Sequence, residues 1–272
     1  MENDYARFQR DGWQRVAGKY ENAWAGLTRL FIADLLDAAA LTRGQRVLDV
    51  ACGPGYVAEA VRDRGATPAG VDISSEMIRI ARERNPDIEF RVGDAVALDF
   101  DPAQFDAVIS NFGVIHTPDY AAAFAEARRM LRPSGVLAFT VWAGPGGSAG
   151  GCLMDSALRA HADMNVPVPK GPDSLVLADP TVCRTMLAAA GFDSASFAVR
   201  AVTHGWSVPN ASFIFERERD SGVRNAALLA QQTAETLDAI RHDVEAGMRA
   251  FADGSGFLVP YTAHVIAARV RG

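Results

Sequence analysis

Short apolar runs alternate with amphipathic stretches along the middle of the chain. Each run has the length of a buried strand, and the runs occupy residues 46–51, 67–72, 88–94, 105–110 and 136–142. After the first run, Val57, Ala60 and Val61 repeat at helical spacing before Gly65, which predicts a helix. Strands that alternate with helices in this way indicate a mainly parallel, doubly wound α/β sheet.

The two flanking regions follow different patterns. Residues 1–42 are predicted to be a helical segment, and residues 43–272 to form one α/β domain. After residue 142 a Gly- and Pro-rich stretch breaks the rhythm, and two helical or loop segments interrupt the later strands. We interpret 143–178 and 204–258 as cap insertions over the carboxyl ends of the strands, where open α/β sheets bind ligands. The apolar seam within 223–251 could instead form an oligomer interface.

Composition excludes some classes of function. The 272 residues carry a net charge of -6, which disfavours binding to a nucleic-acid backbone. No uncharged apolar stretch reaches the roughly 20 residues that cross a bilayer, and the polar N-terminus lacks a signal core. We therefore expect a cytoplasmic monomer or homodimer without membrane or nucleic-acid partners. Three distant cysteines and unpartnered histidines predict no metal site.

A glycine-rich turn follows the first predicted strand. Gly53, Gly55 and Ala58 fit the G-x-G-x-x-A spacing of a nucleotide-binding turn, and Asp72 follows 19 residues after Gly53. This spacing alone is compatible with a dinucleotide oxidoreductase as well as with an enzyme that binds S-adenosylmethionine. Asp49 favours the second, because a carboxylate beside the turn would repel a pyrophosphate but attract an ammonium or sulfonium group.

Aspartates end three successive strands of the predicted sheet. Asp49, Asp72 and Asp94 occupy these positions, and a carboxylate such as Asp72 can accept hydrogen bonds from both ribose hydroxyls. Aspartate is also common as a helix cap or turn residue, and this alternative applies to each of the three. Their joint occurrence is more specific than the glycine motif.

These motifs resemble a known family. The segments VLDVACGPG, GVDISSEMIRIAR, VGDA, FDAVISNFGVIHTPD and MLRPSGVLAFTVW are similar to successive motifs of class I S-adenosylmethionine-dependent methyltransferases, close to the ubiquinone/menaquinone-biosynthesis group. The resemblance covers roughly residues 40–142. It implies a seven-stranded sheet of order 3-2-1-4-5-7-6, with only strand 7 antiparallel, and S-adenosylmethionine as the cofactor.

The resemblance also assigns residues to the cofactor. It implies a methionine site at the glycine turn, a ribose site at the second strand, an adenine site around the third, a sulfonium site after the fourth and a closing tyrosine. The methionine site would comprise Asp49, Ala51, Gly53 and Gly55, and the ribose site Asp72. The adenine site would comprise Ile73, Met77, Asp94 and Ala95, the sulfonium site Asn111 and Phe112, and the closing tyrosine is Tyr20. Ala51 departs from the glycine of many relatives, and Tyr20 has packing as its alternative role.

Candidates for chemistry and substrate binding are fewer. His116 follows the fourth strand, and an imidazole with a pKa near about 6.5 suits a general base; the alternative is a histidine that hydrogen-bonds its loop. Trp142, His204 and Trp206, with Phe213 and Phe215, could line a substrate pocket, although aromatic residues at strand ends often fill a core.

The predicted activity is methyl transfer to an O, N or C nucleophile of a small apolar or aromatic molecule. Alternatives are a protein that uses the same fold for binding or for a non-methyl reaction and, further off, a nicotinamide-dependent oxidoreductase. Methylation of nucleic-acid bases is disfavoured, because Asn111 is followed by Phe112 and Gly113 rather than by an Asn-Pro-Pro-Tyr-like turn. The sequence does not select the acceptor.

Overall fold

The computed structural model describes residues 4–144 and 146–271, and its centre is one twisted β-sheet. The strands are β1 Arg46–Val50, β2 Thr67–Asp72, β3 Glu89–Val92, β4 Phe105–Asn111, β5 Leu131–Trp142, β6 Ala198–Val208 and β7 Gly256–Arg269. A two-residue strand, Ala252–Asp253, pairs with β7 and is left unnumbered. The order is then 3-2-1-4-5-7-6, and β7 runs antiparallel to β5 and β6, which confirms the predicted fold.

Helices cover both faces of the sheet and one end of it. They are α1 Asp4–Val16, α2 Gly26–Thr28, α3 Ile32–Ala38, α4 Tyr56–Asp63, α5 Ser75–Arg84, α6 Tyr120–Met130, α7 Ala149–His161, α8 Pro180–Ala189, α9 Phe213–Ser221, α10 Arg224–Leu229 and α11 Ala234–Met248. A π-helix spans Glu21–Ala25, and short 3-10 helices span Ala17–Lys19, Arg29–Phe31, Val114–His116, Val176–Ala178 and Arg249–Phe251.

Side-chain caps explain where two of the helices begin. The Ser74 hydroxyl accepts a hydrogen bond from the Met77 N–H at 3.2 Å, as the serine pair before α5 predicts. Asp119 caps α6 by accepting from the Ala122 N–H at 3.0 Å. Pro118 therefore lies one residue before the cap.

The strand β5 is longer than its apolar run indicated, and β6 and β7 extend into the segments predicted as caps. β5 begins at Leu131, and its pairing with β4 contains a register shift between Phe105 and Ala107. Residues 204–208 and 256–258, predicted as cap, pair as strands. Most of β6 is exposed, so its ladder is held by backbone pairing with β7 rather than by an apolar run that sequence would reveal. The division into a sheet domain and caps stays a prediction.

The seam of α11 packs within the chain. Ile240, Val244 and Met248 are fully buried, in one cluster with Met154 and Leu158 of α7. Burying each such side chain contributes about 1.5–3 kcal/mol. Side chains already covered by their own chain are not free for a partner, so the oligomer-interface interpretation of these positions is wrong. Among residues 4–144 and 146–271, no helix is long and apolar enough to cross a membrane.

Candidate functional site

A cavity of about 680 Å³ lies at the carboxyl ends of the strands. That volume is within the range of roughly 300–1,000 Å³ usual for small-molecule sites. Its lining comes from the strand ends, from α1 and the segment that follows it, and from α7 and residues 217–225. Three chain segments far apart in sequence therefore enclose a single space.

Of the two glycines in the turn between β1 and α4, only Gly53 lines this cavity. Gly53 has φ +51°, and a Cβ added there would meet no atom within 4 Å, so the backbone is open to the cavity. Gly55 has φ +85°, but its Cβ direction points to Phe90, 3.0 Å away, and to Ala81. Gly55 thus shapes the turn and packs against β3 and α5; it does not line the cavity, contrary to its predicted role.

Ala51 occupies the position where similar turns have glycine. It lines the cavity and has φ +57°, a left-handed conformation that is unfavourable for a residue with a Cβ. A Cβ added to Gly113 would lie 2.3 Å from the Ala51 Cβ. The methyl group at Ala51 is therefore accommodated because the facing residue has no side chain.

Asp72 holds the glycine turn and faces the cavity. Its Oδ2 accepts from the Gly53 N–H and its Oδ1 accepts from the Ser74 N–H, both at 2.9 Å. Burial raises the pKa of Asp72 to about 6, and the two N–H donors offset part of that effect. Each carboxylate oxygen keeps acceptor capacity for a hydroxyl group from the cavity.

Asp49 lies beneath the turn, away from the cavity. Its side chain is fully buried, on a strand position paired with Gly70 and Ile109, and neither carboxylate oxygen accepts a hydrogen bond from the described residues. Burial raises its pKa well above the ordinary value, and the Asp72 carboxylate raises it further. The prediction that Asp49 lines the methionine site is wrong, because its side chain is fully buried within β1 and does not reach the cavity that Ala51 and Gly53 line.

The predicted adenine region lies on the cavity wall. Ile73, Met77, Asp94 and Ala95 all line it. Asp94 also accepts from the Val96 N–H at 3.1 Å and closes a turn with Ala97. Asp94 therefore both closes a turn and lines the cavity.

The end of β4 carries a hydrogen-bonded aromatic platform. Asn111 donates to the Thr28 carbonyl at 2.9 Å and accepts from the Thr140 hydroxyl at 2.7 Å. Phe112 has φ +58°, and its N–H donates to the same hydroxyl at 2.8 Å. The Phe112 ring stacks on Trp142 with centroids 4.0 Å apart. Asn111, Phe112 and Trp142 all line the cavity. Their contacts with the cofactor and the acceptor stay predictions.

Tyr20 and His116 both line the cavity. The Tyr20 hydroxyl lies 3.2 Å from the Thr28 hydroxyl, and burial raises the pKa of Tyr20 to about 12. Burial lowers the pKa of His116 to about 4, so its imidazole is neutral at pH 7. The ring packs edge-on against Trp13 with centroids 5.0 Å apart, and no hydrogen bond joins it to any described residue. The alternative of a loop-bonding histidine is therefore wrong.

His204 and Trp206 lie outside the cavity, and their predicted place in a substrate pocket is wrong. His204 Nε2 lies 2.8 Å from Asp34 Oδ2, Arg200 binds the other oxygen of Asp34, and the His204 ring packs on Phe31 with centroids 4.9 Å apart. Trp206 is buried against Phe213 and Tyr261. Because residues two apart share one face of a strand, both side chains point to the same side of β6, where Phe31 and Phe213 pack against them.

Several cavity residues were not found from the sequence. Tyr261 of β7 is buried beside Trp142, with ring centroids 5.6 Å apart. Arg217 of α9 is buried, with its guanidinium 4.2 Å from the centre of the Trp24 ring. An arginine in an amphipathic helix is usually exposed to solvent, so the sequence around Arg217 does not indicate that its side chain is buried. Within the described ranges, no group of three or more His, Cys, Asp or Glu side chains is arranged to hold a metal ion.

Known proteins are similar to this chain over part of its length. A family profile described as a methyltransferase domain matches residues 47–135. Demethylmenaquinone methyltransferase of Renibacterium salmoninarum is 38% identical over 120 residues, which are 44% of this chain and 51% of that protein. Malonyl-[acyl-carrier protein] O-methyltransferase of Erwinia billingiae is 36% identical over 126 residues, 46% of this chain and 50% of that protein. The chain spans about half the length of these curated relatives.

Solved structures show the same fold. A Haemonchus contortus phosphoethanolamine N-methyltransferase 2, in complex with S-adenosyl-L-methionine, superposes with a TM-score of 0.57 at 19% identity. The match covers 97% of this chain and 60% of that one. Residues 47–135 therefore match a methyltransferase domain, within a chain that is similar over part of its length to demethylmenaquinone methyltransferases.

Proposed function

We propose that this protein transfers a methyl group from S-adenosylmethionine to an O, N or C nucleophile of a small aromatic molecule. The observation that carries the proposal is Asp72, a buried carboxylate that holds the Gly53 turn and lines the cavity. Asp94 lines the same cavity, so two carboxyls face the ligand from the ends of neighbouring strands. A cationic nucleoside suits such a wall, and a pyrophosphate does not.

The residues present fit this cofactor. Gly53 leaves its backbone open, Asp72 offers acceptors for ribose hydroxyls, and Ile73 and Met77 provide an apolar face for adenine. Tyr20 would close the site from the N-terminal side. Asp49 would lie beneath the turn, beside Asp72, without direct contact with the cofactor. When bound, S-adenosylmethionine supplies an electrophilic methyl group on a sulfonium.

The aromatic platform would receive the acceptor. Phe112, Trp142 and Tyr261 present one apolar wall beside Asn111. Stacking an aromatic acceptor on this wall would fix its orientation, and correct positioning of reactants can contribute about 7–11 kcal/mol. The side chain of Asn111 is held at both ends by hydrogen bonds, which keeps the platform rigid.

His116 would accept the proton that the nucleophile loses. Its imidazole is neutral at pH 7, because burial lowers its pKa to about 4, and its ring nitrogens are free of described hydrogen-bond partners. A base with so low a pKa takes a proton only transiently. It therefore suits a phenol or another acidic nucleophile better than an aliphatic alcohol.

Ligand binding tests the cofactor separately from the chemistry. We expect S-adenosylhomocysteine to raise the melting temperature, since a ligand at 100 times its Kd stabilises by about 2.7 kcal/mol, whereas NADH and NADPH should not. Asp72→Asn should weaken this binding, and Asp119→Asn, at a helix cap outside the cavity, serves as its control. Stabilisation by a nicotinamide cofactor alone would refute the proposal.

Turnover tests the transfer itself. Incubation with S-adenosylmethionine and a panel of phenols, catechols and hydroquinones should give S-adenosylhomocysteine in step with a methylated product. Binding of the cofactor without product from any acceptor would favour the alternative, a protein that uses this fold for binding or for another reaction.

A further inference from the structure

The two ends of the cavity differ in charge. The sheet end presents Asp72 and Asp94, whereas the end formed by the cap helices and the 165–175 loop presents Arg159, Lys170 and Arg224. Two carboxyls, Asp155 and Asp173, share the cap end, so the exposed cations exceed the exposed carboxyls there by one (three against two). This excess stands out in a chain whose net charge is -6.

The cap cations are not used by the protein itself. Among residues 4–144 and 146–271, none of the three has a carboxylate oxygen within 4.0 Å. Some exposed arginines elsewhere are paired, for example Arg241 with Asp238 at 2.8 Å. An unpaired arginine beside a cavity keeps its planar set of donors available for a ligand.

Arg159 and Arg224 face the same space from different helices. Arg159 lies on α7 and Arg224 is the first residue of α10. Burial raises the pKa of Asp155, and both guanidinium groups lower it, so both lie within electrostatic range of one carboxyl group. Neither contacts that group. The two guanidinium groups therefore flank one region of the cavity, and neither forms an ion pair with the Asp155 carboxyl group there.

The inner wall of this region adds a third guanidinium. Arg217 is buried, and its Nη2 donates to Glu218 at 2.6 Å, but its Nε has no hydrogen-bond partner among the described residues. Glu218 is in turn held by Asn225 at 3.0 Å. The paired Arg217 fixes the wall, while Arg159 and Arg224 stay free at the opening.

We propose that the methyl acceptor carries an anionic oxygen group, a carboxylate or a phosphate, that Arg159 and Arg224 bind at the cap end of the cavity. Its aromatic part would then lie on Phe112 and Trp142, towards the strand ends. The inference rests on the proposed function for the position of the cofactor. Guanidinium groups bind carboxylates and phosphates through paired, charge-assisted hydrogen bonds, which gives both orientation and selectivity.

The test measures binding without requiring turnover. The protein, with and without saturating S-adenosylhomocysteine, is titrated with 4-hydroxybenzoate, phenyl phosphate, inorganic phosphate and the neutral 4-hydroxybenzamide. Calorimetry gives the affinities, and tryptophan fluorescence reports occupancy because Trp13, Trp24 and Trp142 line the cavity. We expect at least one anionic aromatic probe to bind about tenfold or more tightly than the amide. Its identity distinguishes carboxylate from phosphate, and binding of inorganic phosphate shows whether the anion suffices.

The variants assign the effect to the two arginines. Arg159→Gln and Arg224→Gln should each weaken the anionic probe by about tenfold or more, while affinity for the amide and for S-adenosylhomocysteine stays unchanged. Both residues are exposed, so the variants should fold, and Arg241→Gln is the matched control. Equal affinity for acid and amide, including no binding of either, would overturn the inference. So would variants that bind the acid like the wild type. Failure of S-adenosylhomocysteine to bind would instead refute the proposed function.

Discussion

Replacing Asp72 with asparagine should separate the charge of this side chain from its shape. Raising the pKa of Asp72 from 3.8 to about 6 corresponds to roughly 3 kcal/mol, at about 1.4 kcal/mol per unit. Since the raised value belongs to the folded state, stability is greatest while the carboxyl is protonated and is lost as the pH rises through about 6. Asparagine has no such penalty. It keeps one acceptor for the Gly53 and Ser74 N–H groups, and leaving the other unsatisfied costs about 1–3 kcal/mol.

The two effects nearly cancel at pH 7.5 but not at pH 5. At pH 7.5, the free energy of unfolding of Asp72→Asn should differ from that of the wild type by less than about 2 kcal/mol. Between pH 7.5 and pH 5 the wild type should gain about 1.4 kcal/mol that the variant does not. Relief of the neighbouring Asp49, whose pKa Asp72 raises, acts in the same direction. Urea unfolding at the two pH values measures the difference, and the exposed N-cap variant Asp119→Asn is the control.

Ligand affinity gives the second readout of the same variant. A hydrogen bond from a hydroxyl to an ionised carboxylate contributes about 1.5–3 kcal/mol, so S-adenosylhomocysteine should bind at least tenfold more weakly to Asp72→Asn. Wild-type affinity should also fall as the pH drops below about 6, while the variant stays flat. An unfolding free energy and a Kd that vary with pH equally in both proteins would refute the reasoning.

Three further substitutions test the site. His116→Ala should lower kcat by about 10²–10⁴-fold with unchanged S-adenosylhomocysteine affinity, and an unchanged kcat would remove His116 from the chemistry. Gly113→Ala should destabilise by about 1–3 kcal/mol in urea unfolding, because its Cβ would lie 2.3 Å from that of Ala51. Ala51→Gly relieves a φ of +57°, so stability should change by less than about 1 kcal/mol, and the double variant should recover part of the loss. Strict additivity of the two single changes would argue against this contact.

Local sequence determined the elements and several of their ends. The apolar runs and helical repeats indicated the strands up to β5, and Ser74 marked the start of α5. Asp72 and Asp94 could be predicted at the cavity because a residue at the end of a parallel strand must lie near the ends of its neighbours. The strand order came from resemblance, since alternation alone permits several orders. These features depend on residues close together along the chain, which is why sequence reaches them.

Packing between distant segments decided the rest. Asp49 carries the same chemistry as Asp72, yet its side chain is fully buried within β1 and does not reach the cavity. Trp142 lines the cavity while Trp206 fills the cap core, although both stand near strand ends. In the sequence, Arg159 and Arg224 resemble ordinary solvent-exposed helix residues. Only the structure shows that α7 and α10 place them on one cavity. A local pattern fixes whether a side chain is apolar or charged and which face it takes. What covers that face depends on contacts across long stretches of chain, and only the tertiary structure contains them.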